Sequence, residues 1–172
     1  MRSMFATAET QMRQRQRWGH GTALIVTLLI LAAAYGLEYI GGMEPCPLCM
    51  VQRLVFAALA VVFLIGFLHG APFWGRYFYG VLGALVAAVG VGVAGRHLWL
   101  QSLPPEEVPA CGPGLDYMVD AFPITEVIAM VLAGSGECAE VHEVLGLTLP
   151  GWTLAGYALL GLWALWICRR PR

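Results

Sequence analysis

Met43-Glu44-Pro45-Cys46-Pro47-Leu48-Cys49-Met50-Val51-Gln52-Arg53 joins a polar turn to a run that stays mostly apolar as far as Leu68. That junction decides the fold, because an apolar run of about 19 residues matches the thickness of a bilayer. The Cys-x-x-Cys pair on the turn is shared by zinc sites and thiol redox sites. Arg53 follows Cys49 by four residues, one helical turn on and on the same face. A helix starting near Cys49 also sets its sulfur by the N-terminus, where the macrodipole favours an anion. Both effects favour a thiolate, the reactive form of cysteine. The spacing therefore reads as a redox pair with Cys49 activated.

Working outward, three more apolar stretches appear. Residues 21–40 are nearly all apolar and would make about 30 Å of helix. Ala32-Ala33-Ala34 mimics a signal-peptide cleavage site, but the apolar run continues past it, so an uncleaved anchor is expected. Spans are expected over about 21–40, 50–68, 77–95 and 152–167. In the third, Gly80, Ala84, Ala88 and Gly92 recur every four residues, which predicts close helix packing and no chemistry. The composition agrees: 59% hydrophobic and 12% charged, with mean hydropathy +0.70. The fold class is thus an all-α membrane protein, a four-transmembrane-helix bundle in one domain spanning 1–172.

Charge placement orients the bundle. The chain has no lysine, and its net charge of −1 gives no basic field for nucleic acid. Four spans put the polar tail 1–20 and the C-terminus on one side, together with Arg2, Arg13, Arg15, Arg17, Arg76, Arg169, Arg170 and Arg172. Only Arg53 and Arg96 fall on the other side. By the positive-inside rule both termini are cytoplasmic, and the loops at about 41–49 and 96–151 face outward. Trp18, Trp74, Tyr77 and Trp166 would mark the inner interface, and Tyr39, Trp99 and Trp152 the outer one.

Cys46, Cys49, Cys111 and Cys138 then share the outward face, where disulfides persist. Cys168, at the cytoplasmic end of the last span, reads as a buried bystander. Three readings of the four remain open. Two structural disulfides could staple the loops, although a Cys46–Cys49 ring is too small to stabilise much. A four-thiolate zinc site is weakened because Cys111 and Cys138 do not form a second close knuckle. A redox relay accounts for one tight pair at the membrane surface and one wide pair on a loop. Residue Met50 rules against haem attachment, which needs a histidine there. Between the loop cysteines, Ile124, Val127, Ile128, Val131 and Leu132 share one helical face, in a run too short to span. That helix either lies in the interface or packs as a loop helix, and both hold Cys138 within reach of Cys46.

Taken together, these residues resemble the bacterial disulfide-bond-formation protein B (DsbB) family. The likeness rests on Cys46-Pro47-Leu48-Cys49 with Gln52-Arg53, and on Cys111-Gly112-Pro113-Gly114 with Asp116-Tyr117-Met118. Gly134-Ser135-Gly136-Glu137-Cys138-Ala139-Glu140, Leu145-Gly146-Leu147 and Pro150-Gly151-Trp152-Thr153-Leu154 extend it over nearly the whole chain after the tail. Two departures stand out. The segment 138–146 is about one residue shorter than the family pattern and lacks its aromatic residue. Glu38 occupies a position where a neutral amide is more usual.

The resemblance implies an enzyme of the bacterial inner membrane, a thiol:quinone oxidoreductase with Cys46, Cys49, Cys111 and Cys138 as its catalytic, periplasmic cysteines. A thioredoxin-like DsbA-type periplasmic partner would be reoxidised at Cys111–Cys138. Cys138 would then attack Cys46, and Cys49 would pass electrons to ubiquinone or menaquinone from the membrane pool. Such a donor is unusually oxidising, roughly −120 mV, so thiol exchange alone runs uphill and a higher-potential acceptor is required. The resemblance also assigns quinone contacts to Arg53 and His97. Either residue could instead be an interfacial anchor, Arg53 by snorkelling and His97 as a lone polar group. No resident metal is expected. Two further readings stand beside this one: a non-catalytic scaffold held by loop disulfides, and an outward-facing zinc module.

Overall fold

The computed structural model describes residues 2–43, 45–70, 74–104, 106–110 and 115–169. Four long helices dominate: α1 (Arg2–Tyr39), α2 (Pro47–His69), α3 (Trp74–Gln101) and α6 (Leu149–Arg169). Each contains a stretch long and apolar enough to cross a membrane. The chain is therefore a multi-pass, all-α membrane protein. Between α3 and α6 lie α4 (Leu115–Ala121), α5 (Ile124–Ala133), a 3₁₀ turn at Gly136–Ala139 and the two-residue strands β1 (Glu143–Val144) and β2 (Leu147–Thr148). The strands pair antiparallel, Glu143 opposite Thr148, around a turn with positive φ at Leu145 and Gly146.

The long helices form a closed ring in which α1 packs on α2, α2 on α3, α3 on α6 and α6 back on α1. Lipid tails are as apolar as leucine, so close packing and internal hydrogen bonds hold such helices together. Phe56, Leu59 and Phe63 of α2 meet Ala87 and Ala94 of α3 and Tyr157, Leu160 and Ala164 of α6 at the bundle centre. The rings of Phe56 and Tyr157 stack 4.0 Å apart. Leu29, Leu85, Leu159 and Leu162 point outward, as a lipid-facing surface requires.

The small-residue stripe of α3 differs from the expected one. Gly80, Gly83, Ala87, Gly90 and Ala94 are the buried set, whereas Ala88 and Gly92 are exposed. Four residues turn a helix by roughly 400°, so a strict four-residue repeat drifts off any face by roughly 40° per step. Alternating steps of three and four stay on the contact line. At Gly90 a Cβ would run into the Tyr157 ring, and at Gly80 into the Cys168 sulfur. Gly90→Val is expected to destabilise the bundle by roughly 1–3 kcal/mol or more, whereas Gly92→Ala, in open space, should be neutral. Thermal unfolding of both variants in detergent checks this; equal melting temperatures would contradict the packing.

The segment after α3 caps one end of the bundle. Val127 and Val131 of α5 are buried with Leu48, Val93, Leu100 and Met118 around Cys46 and Cys138. Ile124, Ile128 and Leu132 stay exposed on the other edge of the helix. The apolar face of α5 is thus wider than its packed part. Arg96 donates to the carbonyls of Leu132 and Ala133, both at 3.0 Å, and covers Trp99. It caps the C-terminus of α5, whose last carbonyls have no helical partner.

Candidate active site

The apolar character of α2 begins at its first turn, and so does its helical structure. Cys46 is the N-cap in an extended conformation, with Pro47 at the first helical position, where a missing N–H costs nothing. The Cys46 sulfur accepts from the Cys49 backbone N–H at 3.3 Å, doing the work usually given to a serine or aspartate cap. Cys49 therefore sits inside the first turn, 3.0 Å from Cys46 sulfur to sulfur.

Cys138 approaches from the 3₁₀ turn and is fully buried beside Cys46. The Cys46 side chain, which accepts its thiol hydrogen, together with burial, pushes the Cys138 thiol far above the usual cysteine range. In turn the Cys46 thiol donates to Cys49. The run Cys138 to Cys46 to Cys49 leaves Cys49 as the acceptor, the place where negative charge is best held. Alkylation of Cys138 in the reduced protein should accordingly remain slow near pH 8 and climb only at more alkaline pH than for an ordinary thiol. Mass spectrometry of iodoacetamide-treated protein across pH tests this; a rate levelling off near pH 9 would contradict it.

The sequence-level candidates Cys46, Cys49, Arg53 and His97 all line one cavity of about 260 Å³. His97 lies in α3, which stays helical past the apolar span to Gln101. Its Nε2 is 3.8 Å from the Cys46 sulfur, and Nδ1 is 3.2 Å from the amide nitrogen of Gln52. The Gln52 oxygen accepts from Thr153 at 2.8 Å, and its backbone carbonyl accepts from the Tyr157 hydroxyl. With the Gln52 amide so oriented, its N–H₂ donates to Nδ1 and the ring hydrogen of a neutral His97 sits on Nε2, facing Cys46.

Arg53 has a more definite partner than expected from sequence. Its guanidinium forms an ion pair with Glu38 of α1, donates to the Ala34 carbonyl at 3.1 Å and lies over the Tyr35 ring. Glu38 thus answers a charge at the membrane boundary where a neutral amide would not. Cys111 and the rest of 111–114 lie outside the described residues. Cys168 is buried away from the cavity, its thiol toward the Arg76 carbonyl.

Sequence reasoning used Gln52 only as a family marker, and Thr153 and Tyr157 not at all as site residues. Gln52 carried a usable signal, being the one amide in a helix otherwise apolar apart from Arg53 and the terminal His69. Thr153 and Tyr157 carried none, because their role depends on how α6 docks.

Comparisons with known proteins identify the family. The family model described as disulfide bond formation protein DsbB matches residues 16–167. The disulfide bond formation protein B of Nitrosococcus oceani is 47% identical over 156 residues, covering 90% of this chain and 92% of that protein. Its namesake from Chromohalobacter salexigens is 51% identical over 146 residues, covering 84% and 85%. That from Marinobacter nauticus is 46% identical over 155 residues, covering 90% and 92%. Such similarity across the tail-proximal helix, both cysteine-bearing segments and α6 leaves one conclusion: the chain belongs to the DsbB family and is a disulfide-forming oxidoreductase of the membrane.

Proposed function

We propose that the protein reoxidises a periplasmic, thioredoxin-like dithiol protein of the DsbA type and passes the electrons to membrane quinone. The observation that carries this reading is the thiol chain from Cys138 through Cys46 to Cys49, ending at a cavity lined also by Arg53 and His97. In this scheme both termini are cytoplasmic and Cys46, Cys49, Cys111 and Cys138 face the periplasm of the inner membrane.

The chemistry balances in two exchanges. A partner thiolate attacks Cys111 of a Cys111–Cys138 disulfide, releasing Cys138. The partner's second thiolate then displaces Cys111, so the partner leaves oxidised and both loop cysteines are reduced. Cys138, as thiolate, attacks Cys46 of the Cys46–Cys49 disulfide and frees Cys49 as thiolate. Attack of Cys111 on Cys138 restores the loop disulfide and leaves Cys46 and Cys49 carrying the two electrons. Burial of Cys138 against Cys46 supports the middle step by proximity, since reacting atoms in contact forgo the entropy of encounter.

The cavity fits a quinone headgroup by size and lining. Its volume is just below the usual 300–1,000 Å³ of ligand pockets, enough for a ring rather than its tail. Phe56 and Ile30 offer apolar contact, while Arg53 and His97 offer donors. A quinone bound there supplies a two-electron, two-proton sink. Arg53 would hold the negative charge that develops during transfer, and the Nε2–H of neutral His97 would donate toward the Cys46 sulfur.

The test is quinone reduction by membrane-embedded protein fed with a reduced thioredoxin-like donor. Turnover with ubiquinone or menaquinone, stoichiometric with donor oxidation, is the expected result. Donor oxidation that proceeds equally without any quinone would sink the reading.

A further inference from the structure

Cys46 Sγ, Cys49 Sγ and His97 Nε2 all lie within 4.8 Å of one another. Two soft thiol sulfurs and an imidazole nitrogen are the donors that zinc-like ions prefer, and three protein ligands with one open position is a stable set. We propose that the reduced Cys46–Cys49–His97 cluster captures a thiophilic d¹⁰ cation such as Zn²⁺, which locks the pair as thiolates and holds it out of its redox cycle.

The geometry is close to what an ion needs. With Zn–S near 2.3 Å and Zn–N near 2.0–2.1 Å, tetrahedral ligands stand roughly 3.5–3.8 Å apart. The Cys46–His97 separation is already 3.8 Å, and the 3.0 Å between the sulfurs must open by under about 1 Å. All three donors line the cavity, so the fourth position faces space that a water can enter. Binding releases both thiol protons: two Cys–SH and Zn²⁺ give a bis-thiolate complex and two H⁺.

The surroundings can meet the tautomer that an ion imposes. Metal at Nε2 moves the His97 ring hydrogen to Nδ1, where it needs an acceptor. A turn of the Gln52 amide presents its oxygen there and its N–H₂ to Thr153. Thr153 then keeps its own hydrogen for the Pro150 carbonyl, 2.9 Å away. No buried polar atom of this set is left unpaired by the change. Once Cys46 and Cys49 are joined as a disulfide neither sulfur is a thiolate, so capture belongs to the reduced form alone. The capture stands independently of the quinone relay; only its consequence for turnover rests on that relay.

The experiment uses the full chain in detergent with Cys111, Cys138 and Cys168 replaced by serine, reduced and freed of reductant without oxygen. Zn²⁺ is titrated against a chromogenic chelator, and Co²⁺ is added separately as a spectroscopic probe. One Zn²⁺ per chain is expected, with the intense visible absorption of tetrahedral thiolate-bound Co²⁺. His97→Ala should weaken binding by at least about tenfold, the loss seen when even outer partners of a metal site are removed. Oxidising the pair should release the ion, and reduction should restore it, an arm that needs no substitution at the site. Failure to bind at micromolar Zn²⁺, undiminished affinity in His97→Ala, or retention after oxidation would each overturn the proposal. Because none of these readouts involves quinone, they separate its failure from failure of the relay.

Discussion

Cys49→Ser should bring quinone-linked disulfide formation to background, a loss of at least about 10³-fold, while the protein stays folded. Cys49 is the acceptor end of the thiol chain and the cysteine on the rim of the cavity that also carries Arg53 and His97. A serine there keeps the size of the side chain but cannot form the bond with Cys46. The remaining sulfur next to Cys46 is then Cys138, buried and hydrogen-bonded to it. In the variant, attack of the Cys46 thiolate on Cys138 of the Cys111–Cys138 disulfide should form a Cys46–Cys138 link and free Cys111 before any donor is added. Peptide mapping under non-reducing conditions would detect it, alongside the quinone assay. Cys168→Ser, whose thiol is remote from the cavity, should turn over at nearly the wild-type rate. Unchanged turnover in Cys49→Ser would remove that residue from the chemistry.

The second large effect concerns Arg53 and Glu38. Replacing Arg53 with glutamine alone should destabilise the protein by about 1–3 kcal/mol, less than the loss for a fully buried pair because both side chains keep some exposure. The cause is Glu38, whose carboxylate would be left at the membrane boundary without its partner. Adding Glu38→Gln should recover most of that stability, since an uncharged amide suits the site better than an unpaired charge. Quinone reduction by the double variant should nevertheless remain at least about tenfold slow, because the charge that answers developing anion on the acceptor is still missing. Thermal unfolding and turnover measured on both singles and the double separate the two roles. Recovery of turnover together with stability would reduce Arg53 to a structural cation.

The sequence carried the four membrane helices because apolar length is a local property, counted along the chain without reference to neighbours. It also carried the Cys46/Cys49 pair, Arg53 one turn on, and the family, which resides in short motifs. The packed face of α3 was only half legible: the glycines were visible, but which of them meet a partner depends on how α6 sits against the helix. For α5 the five apolar residues implied one apolar face, either in the interface or packed; two of them are packed and three are exposed.

Local chemistry thus determined that this is a four-span thiol protein with a Cys-x-x-Cys pair at a helix start. Tertiary structure alone decided what those groups touch. Glu38 and Arg53 are 15 residues apart on different helices, His97 is 51 residues from Cys46, and Thr153 reaches Gln52 across 101 residues. No periodicity encodes such pairings; they follow from the ring order of α1, α2, α3 and α6 and the depth at which each helix docks. The cavity exists for the same reason. It is space left where four helix ends and a folded-back loop meet, and that space belongs to the packed bundle rather than to any one segment.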